Sequence, residues 1–525
     1  MNFGKKKSKE IETLPKTSHL PIEMLVSQLG ISGSTAPPGY IEIENYSLKP
    51  PFSVARIVQS ENTSELLYIV DELPMEKTEK EAFNKMKGIL ELELKAPFGE
   101  ETMHASFLRQ LPCIIEANKM AFEGVSPVGL RKIQYYLERD IVGYGGIDPV
   151  MNDPNVEDVR CGGINKPIFL WHRKYENIKT NIFSGEEDEL NDFVMKVVHK
   201  AGKHISIAYP IVDATLPGKH RLAVSYGRET TPFGTSYTIR KFREDPFTII
   251  DLINGETINE SIGAYLWLLV ENKMPIMIVG ATGAGKTTAL NATACLIHPS
   301  YKIITVEECA EINLPHENWT STIARSSFGQ GGEGEISLYD LIKSAVRHRP
   351  DLIAVGEIRG EEAYVLFQAL ATGHGGLCTM HAEDSETAIK RLTQPPMNIP
   401  DSIITLMNCV IVVRHIPTLN NSKRKRRISS RRFVQVSEVR DSGSVVDIFN
   451  WNTSSEFFME QIEKSIMFGR IARKLGVSME NILDELEVRK KILSDMAEHN
   501  IRDYRSVNNV LSKYYHNPNR FTKNE

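Results

Sequence analysis

PIMIVGATGAGKTTALNATACLI, residues 275–297, decides the fold of the region around it. Its opening run, Pro275 to Val279, has no polar alternation and reads as a buried strand. Thr288 to Ile297 reads as a helix with Leu290, Ala294 and Ile297 on one side. Between them Gly280, Gly285, Lys286 and Thr287 fill the spacing G-x-x-x-x-G-K-[ST], with Gly283 inside it. Strand, glycine loop and helix in that order make a phosphate cradle. Glycines let backbone N–H groups curl around phosphate oxygens, and the helix offers its positive N-terminal end. Lys286 meets the β/γ-phosphates and the Thr287 hydroxyl can ligate Mg²⁺. Thr282, Ala284 and Thr288 complete the binding stretch, and the expected ligand is ATP with Mg²⁺.

The rest of the chain is compatible with such an enzyme. Its 525 residues leave room for two to four domains, and 41% hydrophobic with 25% charged residues is an ordinary globular balance. A net charge of −5 gives no reason to wrap nucleic acid. Six cysteines without a C-x-x-C pair indicate neither a disulfide framework nor a tetracysteine zinc site, which fits a reducing cytoplasm. The basic start MNFGKKKSKEIE lacks an apolar segment, and no apolar stretch is long enough to span a bilayer. A membrane role is therefore expected to be peripheral.

Residues 1–100, with SGSTAPPGY at 32–40 and EKTEKEAFNKMKGILELELK further on, read as an N-terminal extension carrying short helices. Residues 101–242 read as a small α+β domain. Ser126 and Pro127 start a helix with Leu130, Ile133 and Leu137 on one stripe, stopped by glycines 143, 145 and 146, and strand pieces such as 166–171 alternate with a helix from about 187 to 200. The charged, Pro246-interrupted segment 243–250 reads as a linker. Residues 251–416 carry apolar runs at 276–279, 303–306, 352–355, 377–380 and 410–413, separated by helices, and imply a mostly parallel sheet covered on both faces. Residues 417–525 read as a strand and helix subdomain packed on that core.

Ligands of such sheets bind at the carboxyl ends of the strands. Those ends hold Gly280, Glu307 with Glu308, Glu357, and His381. Phosphoryl transfer needs an acid near the metal and another to orient the attacking water, and the two acidic clusters supply candidates for both. His374 and His381 can donate hydrogen bonds to a γ-phosphate, or serve as turn histidines; spacing alone leaves both roles open.

Four ordered motifs, GATGAGKTT, TVEECAEINLPHENW (305–319), RHRPDLIAVGEIRG (347–360) and TGHGGLCTMHA (372–382), resemble the type II/type IV secretion ATPases. The similarity is strongest to the archaeal members that drive archaella and type IV pili. YGGIDPVMNDPNVEDVRCGG (144–163) and WHRKYENIKTNI (171–182) resemble the same branch, and coverage runs from about 125 to 500. The resemblance implies a RecA-like α/β ATPase domain, preceded by a smaller α+β domain and followed by a helical subdomain. It implies that Glu307 polarises the attacking water, that Glu357 acts beside Mg²⁺, and that His374 and His381 form the family's His-box. Arg221 and Arg240 match arginines that close on the nucleotide from the N-terminal domain or a neighbouring subunit. Where the family has Glu-Asp this chain has Glu307-Glu308, which leaves open which acid does what. The implied assembly is a homo-hexamer, working against a polytopic membrane platform protein at the inner face of the membrane.

KRKRRISSRR, residues 423–432, reads as a solvated hairpin tip, with contact to anionic lipid, an acidic partner or nucleic acid as the alternatives. The expectation for the whole chain is a motor ATPase that powers assembly or secretion of pilin-like subunits. Its rivals are a nucleic-acid-translocating motor of a DNA-transfer system and a non-catalytic nucleotide-dependent regulator.

Overall fold

Short alternating segments dominate the chain up to residue 242 and unbroken apolar runs dominate the remainder, and each pattern builds its own nine-stranded sheet. The computed structural model describes residues 37–96, 101–243, 245–325, 334–419, 427–454 and 456–518. These fall into two units, divided between Phe242 and Arg243.

The first unit contains β1 (Tyr40–Lys49), β2 (Ser53–Ser60), β3 (Leu66–Glu72), β4 (Val156–Cys161), β5 (Pro167–His172), β6 (Glu176–Phe183), β7 (Ile211–Thr215), β8 (Arg221–Ser225) and β9 (Ser236–Arg240). They lie in the order β1-β2-β3-β6-β5-β4-β9-β8-β7, antiparallel throughout except for β3 beside β6. The helix Glu187–Lys200 starts on a capping box between Glu186 and Glu189, carries acids in its first turn and His199 and Lys200 in its last, and so matches its own dipole. Leu190, Val194, Val197 and Val198 on its inner stripe join Val159, Leu170 and Ile239 in the core.

Two expectations are corrected here. Residues 40–72 are not a helical extension: they supply three strands of the sheet, since SVARIVQS and LLYIVDE each bury a face. Nor does the chain divide at residue 100. The helices Lys77–Glu93, Met103–Ala117 and Pro127–Leu137 share one cluster of Phe83, Met86, Leu90, Phe107, Leu111 and Ile133. Ser126 caps the last of these by accepting the Gly129 N–H at 2.9 Å, and a single π-turn, Glu138–Val142, carries the chain on to Gly143.

The second unit contains β10 (Ile276–Val279), β11 (Ile303–Glu307), β12 (Trp319–Ile323), β13 (Leu352–Val355), β14 (Gly375–Met380), β15 (Cys409–Leu419), β16 (Arg427–Val439), β17 (Val445–Asn452) and β18 (Phe457–Glu460). The order is β12-β11-β13-β14-β10-β15-β16-β17-β18, parallel as far as β15 and antiparallel beyond it. Both faces of the parallel part are covered. Ile276 and Ile278 belong to one core with Leu266 and Leu290, whereas Met277 and Val279 belong to another with Ile342, Leu366 and Leu392. The helix Glu260–Glu271 is so enclosed that every residue from Ser261 to Val270 is buried, and each large apolar side chain in it is worth roughly 1.5–3 kcal/mol of burial.

A division at residue 416 falls inside β15, and the sheet runs on through β16 to β18. The C-terminal helices Ile466–Leu475, Met479–Glu498 and Tyr504–His516 share the first of the two cores through Phe468, Leu486, Leu493 and Leu511. Buried Arg489 fastens them, stacking on Trp267 at 4.8 Å and bonding Glu271 and Glu485. Residues 423–426 of the basic run lie outside the described residues; residues 427–432 of it open β16, which pairs with β15 as far as Leu419 with Arg427.

Candidate nucleotide site

The carboxyl ends of β10, β13 and β14 converge on the glycine loop. At Gly280 any side chain is excluded, because a Cβ there would collide with the Val413 carbonyl oxygen. Gly283 and Gly285 adopt φ of +75° and +97°, left-handed values that turn successive N–H groups toward one concavity. Gly285 is also the N-cap of the helix Lys286–Ala294, and no side chain caps that terminus. Its first amide donors are therefore left for an external anion, and a phosphate group fits this cradle. Ala284 is buried beneath the loop, Thr282 is exposed on it, and Thr287 and Thr288 are half-buried in the first turn.

Lys286 is buried and lies across the loop. Its Nζ donates to the Ala281 carbonyl at 3.2 Å and stands 3.2 Å from His381 Nδ1. His381 Nε2 is 3.1 Å from Glu357 Oε1. Lys286 Nζ is also 3.4 Å from His381 Nε2, so the ammonium lies beside both ring nitrogens while Nε2 faces the Glu357 carboxylate. Burial pushes the Lys286 ammonium below its ordinary pKa, with Glu357 and Glu311 opposing. His381 is likewise held down, by burial first and then by the Lys286 charge, with Glu357 opposing. A neutral imidazole between a cation and an acid can pass a hydrogen bond to either side as phosphate charge arrives or leaves. Arg391 ties the His381 carbonyl, and Thr379 Oγ1 donates to the Gly356 carbonyl at 2.6 Å, joining β14 to the Glu357 turn.

Glu307 ends β11 and is 2% exposed. Its Oε1 accepts the N–H groups of Glu311 and Ile312 at 2.9 and 2.8 Å. Asn291, on the loop's own helix, holds the same segment from the other side, donating to the Glu311 carbonyl and accepting the Asn313 N–H. Glu307 thus fastens the acidic loop, whereas exposed Glu308 bonds the Arg359 guanidinium. Gly356 keeps the Glu357 turn close to Glu307, since a Cβ there would be 3.3 Å from Glu307 Cγ.

The two expected histidines are not brought together. His374 precedes β14 and His381 follows it, so the full strand separates them. His374 Nδ1 lies 3.0 Å from the Ala369 carbonyl and 2.9 Å from Thr372 Oγ1, at the carboxyl end of the preceding helix. Arg221 and Arg240 belong to the first unit, where β8 and β9 set them directly opposite each other. Like charges so placed repel, and each is held by an acid: Arg221 by Asp213 at 2.8 Å and Arg240 by Asp158 at 3.3 Å. Two side chains that the motifs do not mark also touch the glycine loop: His415, whose Nε2 is 3.1 Å from the Gly283 carbonyl, and Arg431 opposite it. β15 is the parallel neighbour of β10, and His415 lies just beyond Val412, where that parallel pairing ends.

Mg²⁺ chemistry suits the donors present. Thr287 offers a hydroxyl and Glu357 a carboxylate, a sparse oxygen set of the kind that holds Mg²⁺ together with substrate phosphates and water.

Comparison with known proteins identifies the family. The family described as Type II/IV secretion system protein matches residues 188–452. An uncharacterised protein of Methanocaldococcus jannaschii is 34% identical over 400 residues, covering 74% of this chain and 71% of its own. The type IV secretion system protein PtlH of Bordetella pertussis is 28% identical over 265 residues, 45% of this chain and 77% of that protein. The ATPase DotB of Legionella pneumophila superposes with a TM-score of 0.41 at 19% identity, covering 57% of this chain and 79% of DotB. The family match spans half of the sequence, takes in the glycine loop and both acidic clusters, and lies largely on the parallel-rich α/β sheet, so this chain belongs to the type II/IV secretion system protein family.

Proposed function

We propose that this protein is a motor ATPase that hydrolyses ATP with Mg²⁺ to power assembly or secretion of archaellum- or type IV pilus-like subunits. The observation that carries the reading is the contact of Lys286 with His381, and of His381 with Glu357, at the mouth of an uncapped helix. Loop amides and Lys286 bind and orient the phosphates. Water attacks the γ-phosphorus, the bond to the ADP oxygen breaks, and a carboxylate takes the water proton. Glu307 or the neighbouring acids Glu308 and Glu357 fill that last role. Mg²⁺, when bound, neutralises phosphate charge, and Thr287 and Glu357 would hold it. His381 follows the charge that leaves with the γ-phosphate.

Arg221 and Arg240 are assigned to closing on the nucleotide, within the chain or across a homo-hexameric interface, where an arginine stabilises transition-state charge. Among the described residues no helix is long and apolar enough to cross a membrane. The proposed location is therefore the inner membrane face, reached through a polytopic platform protein or through anionic lipid at Lys423–Arg432. The test is turnover measured with anionic vesicles, with cytoplasmic loops of the platform, and with DNA. Stimulation by vesicles or platform is the expected result. Stimulation by DNA alone at physiological salt overturns the secretion reading in favour of a nucleic-acid motor.

A further inference from the structure

β15 and β16 form an antiparallel ribbon in which His415 stands opposite Arg431. Both side chains face the glycine loop. His415 Nε2 is 3.1 Å from the Gly283 carbonyl oxygen, and the Arg431 Nε–H donates to that same nitrogen at 3.2 Å. Arg431 also leans over the start of the loop's helix: its Cδ and Nε lie 3.1 and 3.6 Å from the point a Cβ on Gly285 would occupy. Its neighbour Arg432 points to the opposite face, where it pairs with Glu256 at 2.9 Å and stacks on Trp451.

One imidazole nitrogen cannot serve both partners. It either carries a proton and donates to Gly283, or presents a lone pair and accepts from Arg431. The rung therefore has two arrangements, and a change in what Arg431 bonds decides between them. An anion entering the uncapped end of the helix at Gly285 arrives beside this guanidinium. A phosphate oxygen is the stronger acceptor, because both partners are then charged and the fork of N–H groups matches its geometry.

We infer that Arg431 reads the phosphates of a nucleoside di- or triphosphate in the same chain's glycine loop, leaving His415 for a phosphate oxygen while His415 turns its proton to the Gly283 carbonyl. The inference rests on the proposed nucleotide site and adds a phosphate contact from the ribbon beyond the parallel sheet. Occupancy of the loop is thereby felt by β15 and by β16, which carries residues 427–432 of the basic run.

The experiment measures Kd for a fluorescent ADP analogue and for adenosine with the full chain, alongside melting curves without ligand. Arg431→Ala should weaken ADP about tenfold or more, the worth of a hydrogen bond between charged groups, and change adenosine less than twofold. Arg431→Gln, which keeps a donor for His415 but no charge, should behave as the alanine variant and decides the matter if that variant does not fold. Arg431→Lys should recover part of the loss. An unchanged ADP Kd in both neutral variants, while Lys286→Ala loses ADP, overturns the Arg431 assignment alone, as does an equal loss of adenosine and ADP. If Lys286→Ala also binds ADP normally, the nucleotide reading itself falls, and this inference with it.

Discussion

Replacing Glu307 separates two tasks that its carboxylate combines. Oε1 accepts two backbone N–H groups, and Ile312, which supplies one of them, is itself 1% exposed. Glu307→Ala leaves both donors without that acceptor. At roughly 1–3 kcal/mol for each stranded group the loss is about 2–6 kcal/mol, and at about 2 °C per kcal/mol a unit of this size melts roughly 4–12 °C lower. Glu307→Gln keeps an amide oxygen able to accept both, so it should melt within about 2 kcal/mol of the parent. Its turnover should nevertheless fall by about 10²–10⁴, the usual worth of a positioned base, with ADP affinity retained. Melting curves, ADP titration and phosphate release on the two variants read these quantities independently. Near-parental turnover in Glu307→Gln refutes the catalytic role and moves it to Glu308 or Glu357. An alanine variant that melts like the parent refutes the structural one.

The geometry sets three further outcomes. Arg240→Ala should cost at most about 1 kcal/mol, because the Arg240 side chain is itself 58% exposed and buried Asp158 keeps Arg160 as a partner. It should still abolish most turnover, and mixing with Lys286→Ala subunits should restore some activity if the arginine acts across an interface; no recovery in verified mixed assemblies assigns it to its own chain. His381→Ala should slow hydrolysis at least tenfold, whereas His374→Ala, at the opposite end of β14, should slow it less than twofold, and equal losses of turnover refute the distinction between their roles. Burial pushes the His220 imidazole down to about 4 from an ordinary 6.5, and its Nδ1 accepts the Phe242 N–H at 2.9 Å. The unfolded chain therefore binds the extra proton first, so this stability is full above pH 6.5 and is lost as the pH falls toward 4. The loss is about 2–3 kcal/mol. Urea midpoints of His220→Asn should lack that part of the slope, and an identical slope refutes it.

Much of the second unit was legible because its central parallel strands β10, β11, β13 and β14 are buried on both faces. A run such as Leu352–Val355 admits no polar residue, and the motif residues come directly at its carboxyl end. The first unit was less so. β1 alternates as YIEIENYSLK, yet Ile41 is 59% exposed, so its pattern does not mark a core face. The pairing that brings β3 into the sheet joins Tyr68 to Thr180, a contact no local window contains. The start of β16 was hidden by charge, since Arg431 and Arg432 stand in a basic run that reads as solvated loop, and only the register with β15 brings Arg431 to the glycine loop. His374 and His381 share one motif, but a six-residue strand sets them at opposite ends; counting residues along the strand predicts that separation.

The β3–β6 pairing also sets an order of events at the ribosome. Strands 40–72 emerge well before residues 179–180 exist to flank them, and at about 5–20 residues per second the wait is on the order of 5–20 seconds. Through that interval the hairpins of β1, β2 and β3 present an unfilled edge on β3, the kind of edge that recruits strands from other chains. Yield of native protein should therefore depend on what shields this early segment, and slower translation of residues 73–180 should lower it.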